Sequence, residues 1–150
     1  MAQPMPTGAK LMAAVSFAVV GWVLANYYAV NMPDATAAGP IREAAAVIGA
    51  LVGWSVMGNS VGKGYVEAAG AGIKTAVVLA VVALFLLAMA EMLDNSVKMR
   101  YEDAMEAILD VFQTMAKRSH ALLSLGVFGT ILFGGIVAGL LTENAGRRWK

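Results

Sequence analysis

Four stretches of the chain carry almost no charge, and polar or helix-breaking residues bound each one. The first, LMAAVSFAVVGWVLANYYAV from Leu11, has Lys10 at one end and Asn31, Pro33, Asp34 and Gly39-Pro40 at the other. A bilayer core of about 30 Å needs about 20 apolar residues in a helix, so the pattern predicts a span over residues 10–31. Ala35-Thr36-Ala37 has the small-x-small form of a signal-peptide cleavage site, which is the rival reading. A signal core is only roughly 7–15 residues long, so a retained helix is expected instead. The second run, residues 44–62, turns rich in Gly, Asn and Ser near its end and predicts a shorter span over 42–58, entered just after Pro40. The third, TAVVLAVVALFLLAMA from Thr75, is the most apolar part of the chain. At about 1.5 Å per residue it is too short alone, so the helix is expected over 68–93 with Lys74 snorkelling to the interface. The fourth, HALLSLGVFGTILFGGIVAGLL, predicts a span over 120–142.

Small residues mark two helix faces. Ala45, Gly49 and Gly53 recur every fourth residue in the second span, as Gly135 with Gly139 and Gly134 with Ala138 do in the fourth. Small-xxx-small faces let helix backbones approach closely, so the second and fourth spans are expected to pack on each other, within one chain or between copies. Between the third and fourth spans the period changes. Over 98–118, Tyr101, Met105, Ile108, Leu109, Phe112 and Met115 fall at helical spacing, opposite Glu102, Asp103, Glu106, Asp110 and Gln113. This is an amphipathic helix too charged to span. Membrane-surface helices usually carry Lys and Arg and this one is acidic, so contact with the bundle or a partner protein is expected; the plain alternative is an interfacial connector. The fold class is therefore all-α, a single membrane domain over 1–150 with four transmembrane helices and an amphipathic helix between the third and fourth.

Composition sharpens the picture. The chain is 59% hydrophobic and 14% charged, against about 45–50% and 25% for soluble domains, and its mean hydropathy is +0.70. A small soluble core cannot hide that much apolar surface; lipid contact can. The net charge of +1 supplies no basic field for nucleic acid. With no cysteine there is no disulfide, thiolate metal site or thiol redox chemistry. The single histidine, His120, sits beside Lys117 and Arg118 at a membrane edge and reads as solvated. The ten methionines read as adaptable packing.

Candidate chemistry is sparse. The spans offer Ser16, Asn26, Ser55, Ser124 and Thr130, and Ser and Thr within helices commonly bond to their own backbone. Transport pathways are usually marked by ionisable groups within the spans, and none lies near the middle of these four. A pore between chains is the alternative, with Asn26, Asn59 and the Glu91/Asp94 pair as its polar candidates. Gly62-Lys63-Gly64 lacks the rest of the Walker spacing and reads as a mobile turn. No catalytic, cofactor-binding or metal-ligating residue is expected.

Four spans put both termini and the loop at 58–74 on one side. That side holds six basic residues (Lys10, Lys63, Lys74, Arg147, Arg148 and Lys150) against five on the other (Arg42, Lys98, Arg100, Lys117 and Arg118). The acids divide two against eight. Basic count sets orientation under the positive-inside rule and is nearly balanced here. The acids tilt the expectation to cytoplasmic termini, with Trp149 as an interfacial anchor.

Particular strings resemble the TrgA family of small bacterial membrane proteins: MPTGAKLMAA from Met5, GPIRE from Gly39 and IGALVGWSVMG from Ile48. GKGY from Gly62, Glu91-Met92, Ser96 with Tyr101, GLLTE from Gly139 and Arg147-Arg148-Trp149 continue the likeness. It runs from Met5 to the end of the chain, and the GALVGWSVMG run is its most specific part. Residues 1–4 extend beyond the usual family start, and Ser55 stands where the family often has a basic residue. The resemblance implies a bacterial inner-membrane protein associated with tellurite resistance, without an established enzymatic mechanism. Together the readings predict a non-enzymatic accessory or structural subunit. Its expected partners are membrane lipid and other membrane proteins, such as a respiratory or photosynthetic complex, or further copies of itself.

Overall fold

The computed structural model describes residues 7–30 and 38–149. Asn31, Pro33 and Asp34, the Ala35-Thr36-Ala37 site, Lys150 and the first residues of the family-like opening lie outside them. Among the described residues there is no strand. The helices are α1 (Thr7–Val30), α2 (Ala38–Val52, running on through a π turn, Gly53–Met57), α3 (Tyr65–Val97) and α4 (Ala104–Leu122). The last rod is α5 (Leu125–Gly129), a π turn (Thr130–Gly134) and α6 (Gly135–Arg148). Four of these rods are long and apolar enough to cross a membrane: Gly8–Val30, Pro40–Met57, Tyr65–Val97 and Leu125–Arg148. The protein is an all-α, multi-pass membrane bundle. Only 28–39% of each span is buried inside it, so most of the apolar surface, including Val19, Val81 and Phe133, is left to lipid.

The helix order around the bundle follows from backbone approach. α1 packs most extensively on α2, α3 on α6, and α1 also lies against α6, whereas α2 and α3 touch lightly. A Cβ added at Gly49 would lie 2.2 Å from the carbonyl oxygen of Phe17, and one at Gly53 2.6 Å from that of Ala13. From the other side, a Cβ added at Gly21 would lie 2.3 Å from the Ala45 carbonyl oxygen. Gly135 and Gly139 meet α3 instead: a Cβ at Gly139 would lie 2.3 Å from the Ala68 carbonyl oxygen, and one at Gly72 2.0 Å from that of Gly135. The two small-residue faces therefore do not meet each other, contrary to the expectation that the second and fourth spans pair. The physical reason is that one glycine opposite a carbonyl is enough for close approach, and α1 and α3 carry small-residue rows of their own (Gly21, Ala25 and Ala29; Ala68, Gly72, Ala76 and Ala80) that take up the faces of α2 and α6.

The hydroxyls in the spans mostly return to their own helix. Thr75 Oγ1 donates to Ala71 O (2.7 Å), Thr142 Oγ1 to Ala138 O (2.7 Å) and Thr130 Oγ1 to Gly126 O (2.8 Å). Ser55 Oγ donates likewise to Leu51 O at 2.8 Å. Ser124 caps α5 by accepting from Val127 N–H at 3.4 Å. The core is built of small and aliphatic groups around Phe17, Met57, Leu79 and Val127, with Ala68, Ala76 and Ala138 where helices approach.

The third helix outruns its apolar stretch, continuing through Val97, and residues 98–103 form the turn, with Met99 at φ 52°. α4 consequently begins at Ala104 rather than 98, and Tyr101 stands in the turn rather than on the helix.

Candidate functional site

Polar groups gather at the two ends of the bundle. At the first end, Glu143 near the end of α6 is only 1% exposed. Its Oε2 accepts from the Gly62 N–H at 2.8 Å and its Oε1 from Arg147 Nε at 3.2 Å. The Arg147 guanidinium lies over the Tyr65 ring, 4.5 Å from its centroid. Gly62 and Gly64 adopt φ +98° and +119°, left-handed conformations that glycine reaches without a steric penalty. These turns bring the loop down onto α6, where Val61 lies against Gly146. The Gly62 amide is thus directed at the chain's own carboxylate, and Gly62-Lys63-Gly64 is a latch rather than a phosphate cradle. Trp149 lies against Gly8, so the two ends of the described chain meet on this side.

At the second end, Arg118 of α4 joins three helices. Its Nη2 donates to Glu91 Oε2 on α3 at 2.6 Å and its Nη1 to Tyr28 Oη on α1 at 2.9 Å. Burial lowers the guanidinium's pKa, but the hydrogen bonds and charges of Tyr28 and Glu91 outweigh it, leaving the group above its ordinary value. Asp94 is taken by Lys98 at 2.6 Å. The Glu91/Asp94 pair is therefore divided between two cations, and among the described residues no cluster of acids and His could hold a metal ion. Asn59, exposed, donates from Nδ2 to Ser55 O at 2.7 Å, and Asn26 is half-buried in α1. In the turn, the Tyr101 hydroxyl donates to Asp110, and that hydrogen bond to a carboxylate raises the phenol's pKa. His120 is exposed in the last turn of α4.

The face of α4 that packs is not the one the periodicity marks. Met105, Ile108, Leu109 and Phe112 are between 52% and 63% exposed, whereas Val111 (5%) and Thr114 (9%) are buried. Met115 and Tyr101 are half-buried at the margins. The bundle takes the side of α4 that carries Arg118, because the contacts of Arg118 to Tyr28 and Glu91 set the helix's rotation.

Apolar concavities lie on the flanks of the spans among the described residues. One of about 150 Å³ lies where α2 and α3 touch lightly, lined by Leu24, Tyr28, Ala45, Ala83 and Leu87 among others. A larger one of about 700 Å³ runs between α1 and the α5–α6 rod, with Val15, Val19 and Val23 on one wall and Gly129, Gly134 and Ala138 on the other. Of the marked small residues, Gly134 and Ala138 thus line this groove, where a Cβ added at Gly134 would lie 3.4 Å from the Val20 side chain. Gly49 and Gly53 sit in the α1–α2 seam with Ala45, and Gly135 and Gly139 in the α3–α6 seam. Sequence spacing missed Gly21, Gly72, Glu143 and Arg118; the acid and the arginine looked like ordinary helix-end charges. Comparison with protein-family models, with curated proteins and with solved structures found no match to this chain.

Proposed function

We propose that the chain is a non-enzymatic accessory subunit of the bacterial inner membrane, of the TrgA type, that works by packing against a larger membrane assembly. The observation that carries this reading is the glycine-lined groove along α1 and the α5–α6 rod. Its walls are apolar and belong to the spans, and a Cβ added at Gly129 would meet nothing within 4 Å. Close backbone approach is the main attraction between helices in lipid, and this groove offers small residues on an outer flank after the seams inside the bundle have closed. The polar clusters support the same reading, since Glu143 and Arg118 are engaged in holding helix ends and loops.

Native mass spectrometry after purification in mild detergent tests the proposal. The expected result is a discrete membrane partner that is retained by the wild type and lost by Gly129→Phe, which fills the groove without entering the bundle seams. A strictly monomeric particle in both cases overturns it. Through such an assembly the chain contributes indirectly to tellurite tolerance. Deleting it should lower tolerance, and the wild-type chain should restore it where Gly129→Phe does not. The acidic turn and α4 are placed outside and the ends of the chain in the cytoplasm, in keeping with the division of acids.

A further inference from the structure

α4 presents three distinct faces, and only one of them is explained by the bundle. At 3.6 residues per turn, Ala107, Val111, Thr114 and Arg118 form the side turned to the bundle, with Val111 and Thr114 buried. Glu106, Asp110 and Lys117 gather on a second side, with Asp103 in the turn just before the helix. Met105, Ile108, Leu109 and Phe112 form the third, which is apolar and more than half exposed throughout. The apolar side is turned away from both of the others, by about 140° from each, and the acidic side lies next to the bundle contact.

The level of the helix is set by its contacts. Arg118 is bound to Tyr28, two residues before the end of α1, and to Glu91, just past the apolar run of α3. Shortly afterwards Leu125, 88% exposed, opens the fourth span, and Leu123 beside it is 75% exposed. The C-terminal part of α4 thus lies where the spans leave the hydrocarbon, next to the exposed Leu123 and Leu125.

We infer that α4 is an interfacial helix of the same bilayer: Met105, Ile108, Leu109 and Phe112 dip into the acyl boundary while the acidic side faces water. Free amphipathic helices need basic residues to be drawn to anionic lipid. α4 does not, because α3 and α5 hold it at the surface from both ends, so its effective concentration there is already high. Its acidic side makes it a helix for zwitterionic lipid, and anionic headgroups lift it toward water.

The absence of cysteine allows single-site labelling of the full chain. Nitroxides at Met105→Cys, Ile108→Cys, Phe112→Cys, Glu106→Cys and Gln113→Cys would be compared in phosphatidylcholine vesicles by collision with oxygen and with a water-soluble nickel chelate. Oxygen collisions should dominate at 105, 108 and 112, and nickel collisions at 106 and 113. With Trp22, Trp54 and Trp149 replaced by Phe, Phe112→Trp supplies an independent reading: lipids brominated on the acyl chain should quench it, and less so when phosphatidylglycerol replaces phosphatidylcholine. Stripe positions shielded from both reagents would mean a protein covers them, and stripe positions open to nickel would mean they face water. Either result, or an unquenched Trp in phosphatidylcholine, overturns the inference.

Discussion

Gly70 and Gly72 lie two residues apart on α3 in opposite surroundings. A Cβ at Gly70 would meet nothing within 4 Å, whereas one at Gly72 would lie 2.0 Å from the Gly135 carbonyl oxygen. Gly72→Ala must push α3 and α6 apart and should lower stability by about 1–3 kcal/mol, as overpacking does. Gly70→Ala should raise it by about 0.5–1 kcal/mol through helix propensity. Denaturation by SDS titration from mild detergent would show the opposite signs. Glu143 gives a second residue-scale test. Glu143→Gln keeps an acceptor for the Gly62 N–H but loses the charge that faces Arg147; Glu143→Ala leaves that N–H unpaired. Stability should fall in that order, with Ala costing about 1.5–3 kcal/mol, the usual worth of a hydrogen bond to a charged group. Trypsin should then cut at Lys63 faster than in the wild type. The spacing of Gly49, Gly53, Gly135 and Gly139 is visible in the sequence. Which faces they meet is not, because Gly21, Ala25 and Ala29 on α1 and Ala68, Gly72, Ala76 and Ala80 on α3 share that spacing, so every span offers such a face and the period does not choose the pair.

At the scale of elements, the apolar runs locate helices well and their ends poorly. α3 continues to Val97 because Glu91, Asp94 and Asn95 are tolerable in a helix that has left the hydrocarbon, and Lys98 pairs with Asp94 one turn away. The amphipathic period of α4 identifies the helix, but not which side packs. That choice falls to Arg118, whose contacts to Tyr28 and Glu91 lie 90 and 27 residues away in the chain. Arg118→Ala should loosen α4 as a unit. Its side chain is 26% exposed and that of Glu91 39%, so screening limits the cost to about 1 kcal/mol. The sensitive readout is hydrogen exchange, which should speed up through α4 and stay unchanged in α1 and α6. Lys98→Ala, which breaks a pair exposed at 56% and 63%, should leave the exchange of α4 unaltered.

For the whole molecule, four crossings and the contact of Trp149 with Gly8 put the two ends of the described chain on one side. Reporters fused at the N- and C-termini should therefore read the same compartment in either orientation, and a split result would contradict the four-span fold. Charge-free runs of the required length determine by themselves that this is an all-α membrane protein with four spans, because burying an unpaired backbone in hydrocarbon leaves no other economical solution. The sequence also determines that an acidic amphipathic helix separates the third and fourth. Only the tertiary structure decides that α2 pairs with α1 and α6 with α3, that Glu143 latches the loop beyond α2, and that α4 keeps its apolar side outward. Each of these depends on a few contacts between residues far apart in the chain. Hydrophobic period records how much surface a helix must cover, not which neighbour covers it.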